Sequence, residues 1–74
     1  SPNVRIENHS EVYDSIIMEG VSIGKNVKIR NTIIDKLVTV PDGRQIGYNS
    51  EEDARQFTIT EKGIIVVPKE LPLL

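Results

Sequence analysis

Aliphatic residues recur along this chain at steps of six and five. They fall at Ile6, Val12, Ile17, Ile23, Ile29, Ile34, Val40 and Ile46, so the steps run six, five, six, six, five, six, six. A helix with one buried face would repeat its apolar positions at three and four, and a half-buried strand at two. Neither period fits. Three successive steps sum to seventeen, and a longer repeat stands at that spacing without a gap. Val4, Val21 and Val38 share one column, Ile6, Ile23 and Val40 a second, and Val12, Ile29 and Ile46 a third. Ser15 matches Thr32, Ile16 matches Ile33, and Ile17 matches Ile34.

One inward aliphatic per six residues describes a hexapeptide solenoid. Each hexad predicts a short strand and a turn, and three hexads predict one triangular coil. Coils stacked at ~4.8 Å put the columns on top of one another as the core. The predicted class is all-β, a left-handed parallel β-helix. Residues 4 to 49 number 46, which at seventeen per coil is about 2.7 coils. The five-residue step predicts one corner tighter than the other two. Gly20, Gly24, Gly43 and Gly47 fall between the apolar columns, as do Asn8, Asn26, Asn31 and Asn49. Both residue types tolerate the positive φ that sharp corners demand. The alternative is an ordinary small antiparallel β-domain, which gives no reason for gapless columns.

The repeat stops at Ser50. Ser50 is the expected N-cap of a short helix whose first turn holds Glu51, Glu52 and Asp53, where the helix dipole favours negative charge. Phe57 to Thr60 alternates as a strand, Glu61-Lys62-Gly63 reads as a turn, and Ile64 to Val67 as a second strand ended by Pro68. The expected organisation is therefore coils over 1–49 and a C-terminal cap over 50–74, the cap covering the last coil as solenoid ends require.

Composition narrows the chemistry. Of the 74 residues 38% are hydrophobic but only 4% aromatic, so the core must be aliphatic. There is no cysteine, hence no disulfide and no thiolate metal site, and the one histidine, His9, excludes a multi-histidine site. No apolar run nears the ~20 residues of a membrane span. A net charge of −2 gives no support to a nucleic acid as partner. Residues 1–49 carry six acids and six bases, whereas 50–74 carry five acids and three bases. The coils are a neutral scaffold and the cap is mildly acidic. So short a solenoid has little room for a substrate cavity, which points to a piece of a larger protein.

Particular stretches go further. Ile29-Arg30-Asn31-Thr32-Ile33-Ile34-Asp35-Lys36, Val40-Pro41-Asp42-Gly43 with Ile46-Gly47, and above all Glu51-Glu52-Asp53-Ala54-Arg55-Gln56-Phe57 resemble the bacterial glucose-1-phosphate adenylyltransferases. Gly63-Ile64-Ile65-Val66-Val67-Pro68-Lys69 is similar to that family's final strand, and Ser1-Pro2-Asn3-Val4 to the start of one of its coils. The resemblance covers essentially the whole chain. It implies a C-terminal β-helix whose own N-terminal catalytic domain, in the parent enzyme, converts ATP and glucose 1-phosphate to ADP-glucose and pyrophosphate with Mg²⁺, for glycogen synthesis in the cytoplasm. The family's Gly-rich phosphate loop has no counterpart among these residues. The fragment is expected to need no cofactor, with ATP and Mg²⁺ belonging to the parent.

The resemblance also implies roles for particular residues. Lys36, after Ile34-Asp35, and Lys69, after the last strand, match basic positions linked to binding an anionic sugar-phosphate or carboxylate effector. On the residues alone each reads as a solvated lysine. The family commonly continues with further basic residues, whereas here Leu71-Pro72-Leu73-Leu74 follows. A homo-oligomer is implied, a homotetramer in the parent. The open edge of a first coil gives an independent reason for association. Two other classes compete. A hexapeptide-repeat acyltransferase fragment would use His9 as general base, though His9 shares a corner column with Asn26 and Gly43. A purely structural association module would bind no effector. Arg30 and Arg44 read as structural or solvated, and Asp35 and Asp42 as turn residues.

Overall fold

The computed structural model describes residues 4–69, 71 and 73. The Ser1-Pro2-Asn3 opening, and Pro72 and Leu74 of the terminal run, lie outside the described residues. Three strands make the first coil: β1 (Arg5–Ile6), β2 (Glu11–Tyr13) and β3 (Ile16–Ile17). Three more make the second: β4 (Ser22–Ile23), β5 (Lys28–Arg30) and β6 (Thr32–Ile34). The third coil opens with β7 (Thr39–Val40) and β8 (Gln45–Ile46). Then follow α1 (Ser50–Gln56), β9 (Thr58–Ile59) and β10 (Ile65–Val67).

The coils stack into three parallel faces. One holds β1, β4 and β7, the next β2, β5 and β8, and the last β3, β6 and β10, with β9 added antiparallel at its edge. The register is the seventeen-residue repeat. Ile6 lies beside Ile23 and Ile23 beside Val40, Val12 beside Ile29 and Ile29 beside Ile46, and Ile17 beside Ile34. The architecture is the expected left-handed parallel β-helix.

The corners show why the chain turns where it does. His9 (φ 63°), Asn26 (φ 57°) and Gly43 (φ 75°) share one column in the left-handed region. Asp14 (φ 47°) and Asn31 (φ 51°) share the second, and Gly20 (φ 74°) and Leu37 (φ 62°) the third. The second is the tight one, since Asn31 alone separates β5 from β6. Expectation and structure differ here in detail. Gly24 and Asn8 are not among the positive-φ residues, whereas His9, Asp14 and Leu37 are. Column membership, more than residue type, decides which residue must take the turn.

Two of the solenoid's hydroxyls tie coil to coil. Ser10 Oγ donates to the Gly24 carbonyl at 2.6 Å and accepts the Val27 N–H at 3.0 Å. Ser15 Oγ donates to the Tyr13 carbonyl at 2.7 Å and accepts the Thr32 N–H at 3.2 Å. Each satisfies a backbone group that a corner would otherwise strand.

The core lies in the second and third coils. Val21, Ile23, Val27, Ile29, Ile34, Val38, Val40, Ile46 and Val67 are essentially inaccessible. The first coil supplies the same columns but is open on its far side: Ile6 is 48% exposed against 1% for Ile23.

The C-terminal segment departs from expectation in two ways. The N-cap is Asn49, whose Oδ1 accepts the Glu52 N–H at 3.1 Å, and Ser50 is the first helical residue. Asparagine's amide oxygen reaches this first-turn donor from the extended backbone (φ −136°) that a cap adopts. Second, β10 completes the third coil, with Val66 beside Ile33 and Val67 beside Ile34. Val66 stands 33 positions after Ile33 where the repeat has seventeen, so sixteen residues are spliced into the solenoid before its last side closes. Residues 50–67 are thus partly a loop out of the coil and partly the coil itself. Phe57 is buried in the core, and Leu71 and Leu73 pack against it.

Candidate functional site

The strands that close the third face bring Lys36 and Lys69 to one corner. Ile34 and Val67 are paired across β6 and β10, and the Asp35 N–H donates to the Val67 carbonyl at 3.0 Å. Lys36 and Lys69 each follow two residues later, on adjacent coils, and both are exposed. Residues 36 and 69 are far apart in sequence, and only the sixteen-residue splice makes them neighbours in register. Glu19 belongs to the same corner: Ile17 pairs with Ile34, and the Leu37 N–H donates to the Glu19 carbonyl at 3.2 Å. Subtracting seventeen from Lys36 would have found Glu19 in the sequence.

The backbone at this corner is firmly set. Asp35 Oδ1 accepts the Lys36 N–H at 2.7 Å, and Leu37 then turns the chain with φ 62°. A bulky residue at positive φ costs about 1–2 kcal/mol, so the corner carries strain beside Lys36. The two residues follow paired strands of adjacent coils, which stack at ~4.8 Å. An anion with several oxygens suits a pair of lysines, each a compact charge with three donors.

Two other bases, Arg30 and Arg44, are engaged elsewhere. Arg30 lies over the Tyr48 ring at 4.2 Å and its Nε donates to the Gly47 carbonyl at 2.7 Å. Arg44 donates to Gln56 and lies 5.8 Å from the Phe57 ring centroid. Asp42 Oδ1 accepts the Lys25 N–H at 2.8 Å, the turn role expected of it. His9 is an exposed corner residue (φ 63°) in the same column as the Asn26 and Gly43 corners. A shallow depression of about 490 Å³ lies on the β1–β4–β7 face, where Arg5, Glu7, Lys25 and Asp42 rim Ser22 and Thr39. Neither Lys36 nor Lys69 borders it. Among the described residues no group of three histidine, aspartate or glutamate side chains could hold a metal ion. No helix among them is long and apolar enough to cross a membrane.

A three-sided parallel coil with one inward aliphatic per hexad defines a hexapeptide-repeat β-helix domain. Residues 1–67 match the family described as GlmU-like, C-terminal hexapeptide, and the chain belongs to that family. It is 49% identical over 71 residues to a glucose-1-phosphate adenylyltransferase from Anaeromyxobacter sp. (strain Fw109-5), covering 96% of this chain and 17% of the relative. It is 51% identical over 70 residues to the enzyme of that name from Trichlorobacter lovleyi, covering 93% of this chain and 17% of the relative. The Geobacter metallireducens protein of that name is 52% identical over 67 residues, covering 89% and 16%. The chain thus spans about a sixth of the length of the curated relatives it matches.

Proposed function

We propose that this chain is the C-terminal regulatory and assembly part of a glucose-1-phosphate adenylyltransferase. The parent would make ADP-glucose and pyrophosphate from ATP and glucose 1-phosphate in the cytoplasm. In this reading ATP and Mg²⁺ belong to the remaining five-sixths of the parent, and this chain supplies no catalytic group.

The observation that carries the regulatory reading is the register of β6 and β10. Because residues 36 and 69 each follow paired residues of adjacent coils, that register supports reading Lys36 and Lys69 as shared contacts of one multivalent anion. The effector class is an anionic sugar phosphate or a small carboxylate. The exposed corner position of His9 weighs against the acyltransferase reading, which would use it as general base. The purely structural reading is separated by effector binding.

The test uses the full-length enzyme carrying Lys36→Ala, Lys69→Ala or both. The activation constant for sugar phosphates or pyruvate should rise in each single variant while the unactivated rate is kept. Unchanged constants in both would refute the effector role.

Association into a homo-oligomer, a homotetramer in the parent, belongs to the same proposal. Among the described residues β1, β2 and β3 are the outer strands of their sheets and Ile6 is exposed, which supports association of the isolated chain. Sedimentation should find the isolated chain associated at micromolar concentration. A stable, well-folded monomer there would count against it.

A further inference from the structure

The depression on the β1–β4–β7 face has a definite construction. Inward Ile6, Ile23 and Val40 leave the residues on either side of them facing out. On one side the register sets Arg5 beside Ser22 and Ser22 beside Thr39. On the other side stand Glu7, Gly24 and Pro41. Two short hydroxyl residues and a glycine thus lie within a frame of longer side chains, Arg5, Glu7, Lys25 and Asp42. The matching outward row of the β2–β5–β8 face is Glu11, Lys28 and Gln45, all long. At about 490 Å³ the depression has the size of a small-molecule site.

Its polar groups are set out for a ligand more than for the fold. Asp42 Oδ1 accepts the Lys25 N–H at 2.8 Å, and a Cβ on Gly24 would run into that same oxygen. Gly24 therefore makes room for a carboxylate whose position is fixed. The hydroxyls of Ser10 and Ser15 serve backbone groups at the corners. Among the described residues the hydroxyls of Ser22 and Thr39, the Arg5 guanidinium and the Lys25 ammonium engage no protein group. The frame is formally neutral, with Arg5 and Lys25 against Glu7 and Asp42. Two carboxylates oppose a phosphate, and two cations oppose a metal ion or an amine. An uncharged ligand rich in both donors and acceptors suits such a frame, and a sugar ring is one. Its hydroxyls donate to carboxylates, accept from a guanidinium, and do either with serine and threonine.

We propose that the Arg5–Ser22–Thr39 face binds a sugar ring, free or as a unit of a glycan chain. The site is separate from the Lys36 and Lys69 corner and does not depend on the adenylyltransferase reading. The test is saturation-transfer NMR on the full-length protein, titrated with glucose and with maltotriose. Affinity should fall by about ten-fold or more in the Ser22→Ala/Thr39→Val double variant, the loss expected of two hydrogen bonds. Lys28→Ala, on the β2–β5–β8 face, should leave it unchanged, and signal from any other sugar site stays common to all variants. Arg5→Gln repeats the measurement should the double variant fail to fold. Tighter binding of maltotriose would identify a glycan chain as the source, and equal binding a free sugar. No variant-sensitive signal from either sugar overturns the proposal. So does displacement by inorganic phosphate or by glycine, which would make the ligand an anion or a zwitterion.

Discussion

The buried Asp53 carboxylate accepts a hydrogen bond from the Gly47 N–H at 3.0 Å, and this bond marks the point where the chain leaves the solenoid. Gly47 should continue the β2–β5–β8 face past Ile46. Instead its φ is 95°, its carbonyl is taken by Arg30 Nε, and its N–H turns to the helix that follows. A Cβ on Gly47 would run into the Arg30 carbonyl oxygen. Asp53→Ala leaves the Gly47 N–H without its partner in a partly buried place and should cost about 1–3 kcal/mol. Asp53→Asn keeps an acceptor oxygen and should cost less. Gly47→Ala meets both the positive φ and the clash and should cost at least about 1–2 kcal/mol. Urea unfolding midpoints check all three, and an Asp53→Ala as stable as the native chain would refute the anchoring role.

The core is asymmetric along the axis, and mutation should show it. Ile29 and Ile6 each stand in an inward column, one in the second coil and one in the first, but Ile29 is fully buried and Ile6 is 48% exposed. Ile29→Ala should cost about 2–5 kcal/mol, the range for a buried isoleucine left with a cavity. Ile6→Ala should cost less than about 1 kcal/mol in the isolated chain if the first coil stays uncovered. Equal losses would show that the first-coil end is covered in solution.

Much of this architecture was readable because the repeat is gapless. A period of seventeen in six columns predicts the faces, the register of the first two coils and the inward residues. What could not be read was how the third coil closes. Residues 47–64 have ordinary helix and hairpin signals, and nothing local says that Val66 will sit beside Ile33. That pairing is a long-range event, decided by β10 filling the one vacant side. The candidate site shared this fate. Lys36 and Lys69 were singled out by resemblance, but their meeting at one corner depends on the splice. The cap residue was missed for a simpler reason. Asn49 and Ser50 are both good N-caps, and the choice rests on which one has extended backbone.

Leu37 packs on Gly20 so closely that a Cβ on Gly20 would lie 2.6 Å from Leu37 Cδ2. Both residues hold the same corner in adjacent coils, with φ 74° and 62°. Gly20→Ala should destabilise by about 1–2 kcal/mol from the backbone conformation, plus the cost of moving the leucine. Leu37→Asn should be neutral or stabilising by up to about 1 kcal/mol, since asparagine tolerates this region better. In the double variant the leucine clash is gone, so its loss should be smaller than the Gly20→Ala loss alone. Thermal melts of the three variants measure the coupling, and strict additivity would show that the two side chains do not interact.

Tyr13 gives the chain an alkaline signature. Its hydroxyl donates to Glu11 Oε1 at 2.8 Å, and this hydrogen bond, with the carboxylate's charge, raises its pKa above the ordinary 10.0. The neutral phenol is the form that the fold favours. The contribution to stability is therefore complete below pH 10.0, and it fades as the pH climbs through the raised folded value. The group is fully exposed, so the effect on stability is small and the titration itself is the better readout. Phenolate absorbance of the native chain should show a phase above the ordinary tyrosine range. Tyr13→Phe should abolish that phase, and Glu11→Gln should move it down by removing the charged acceptor. A late phase that survives Tyr13→Phe would dissolve the Tyr13–Glu11 pair.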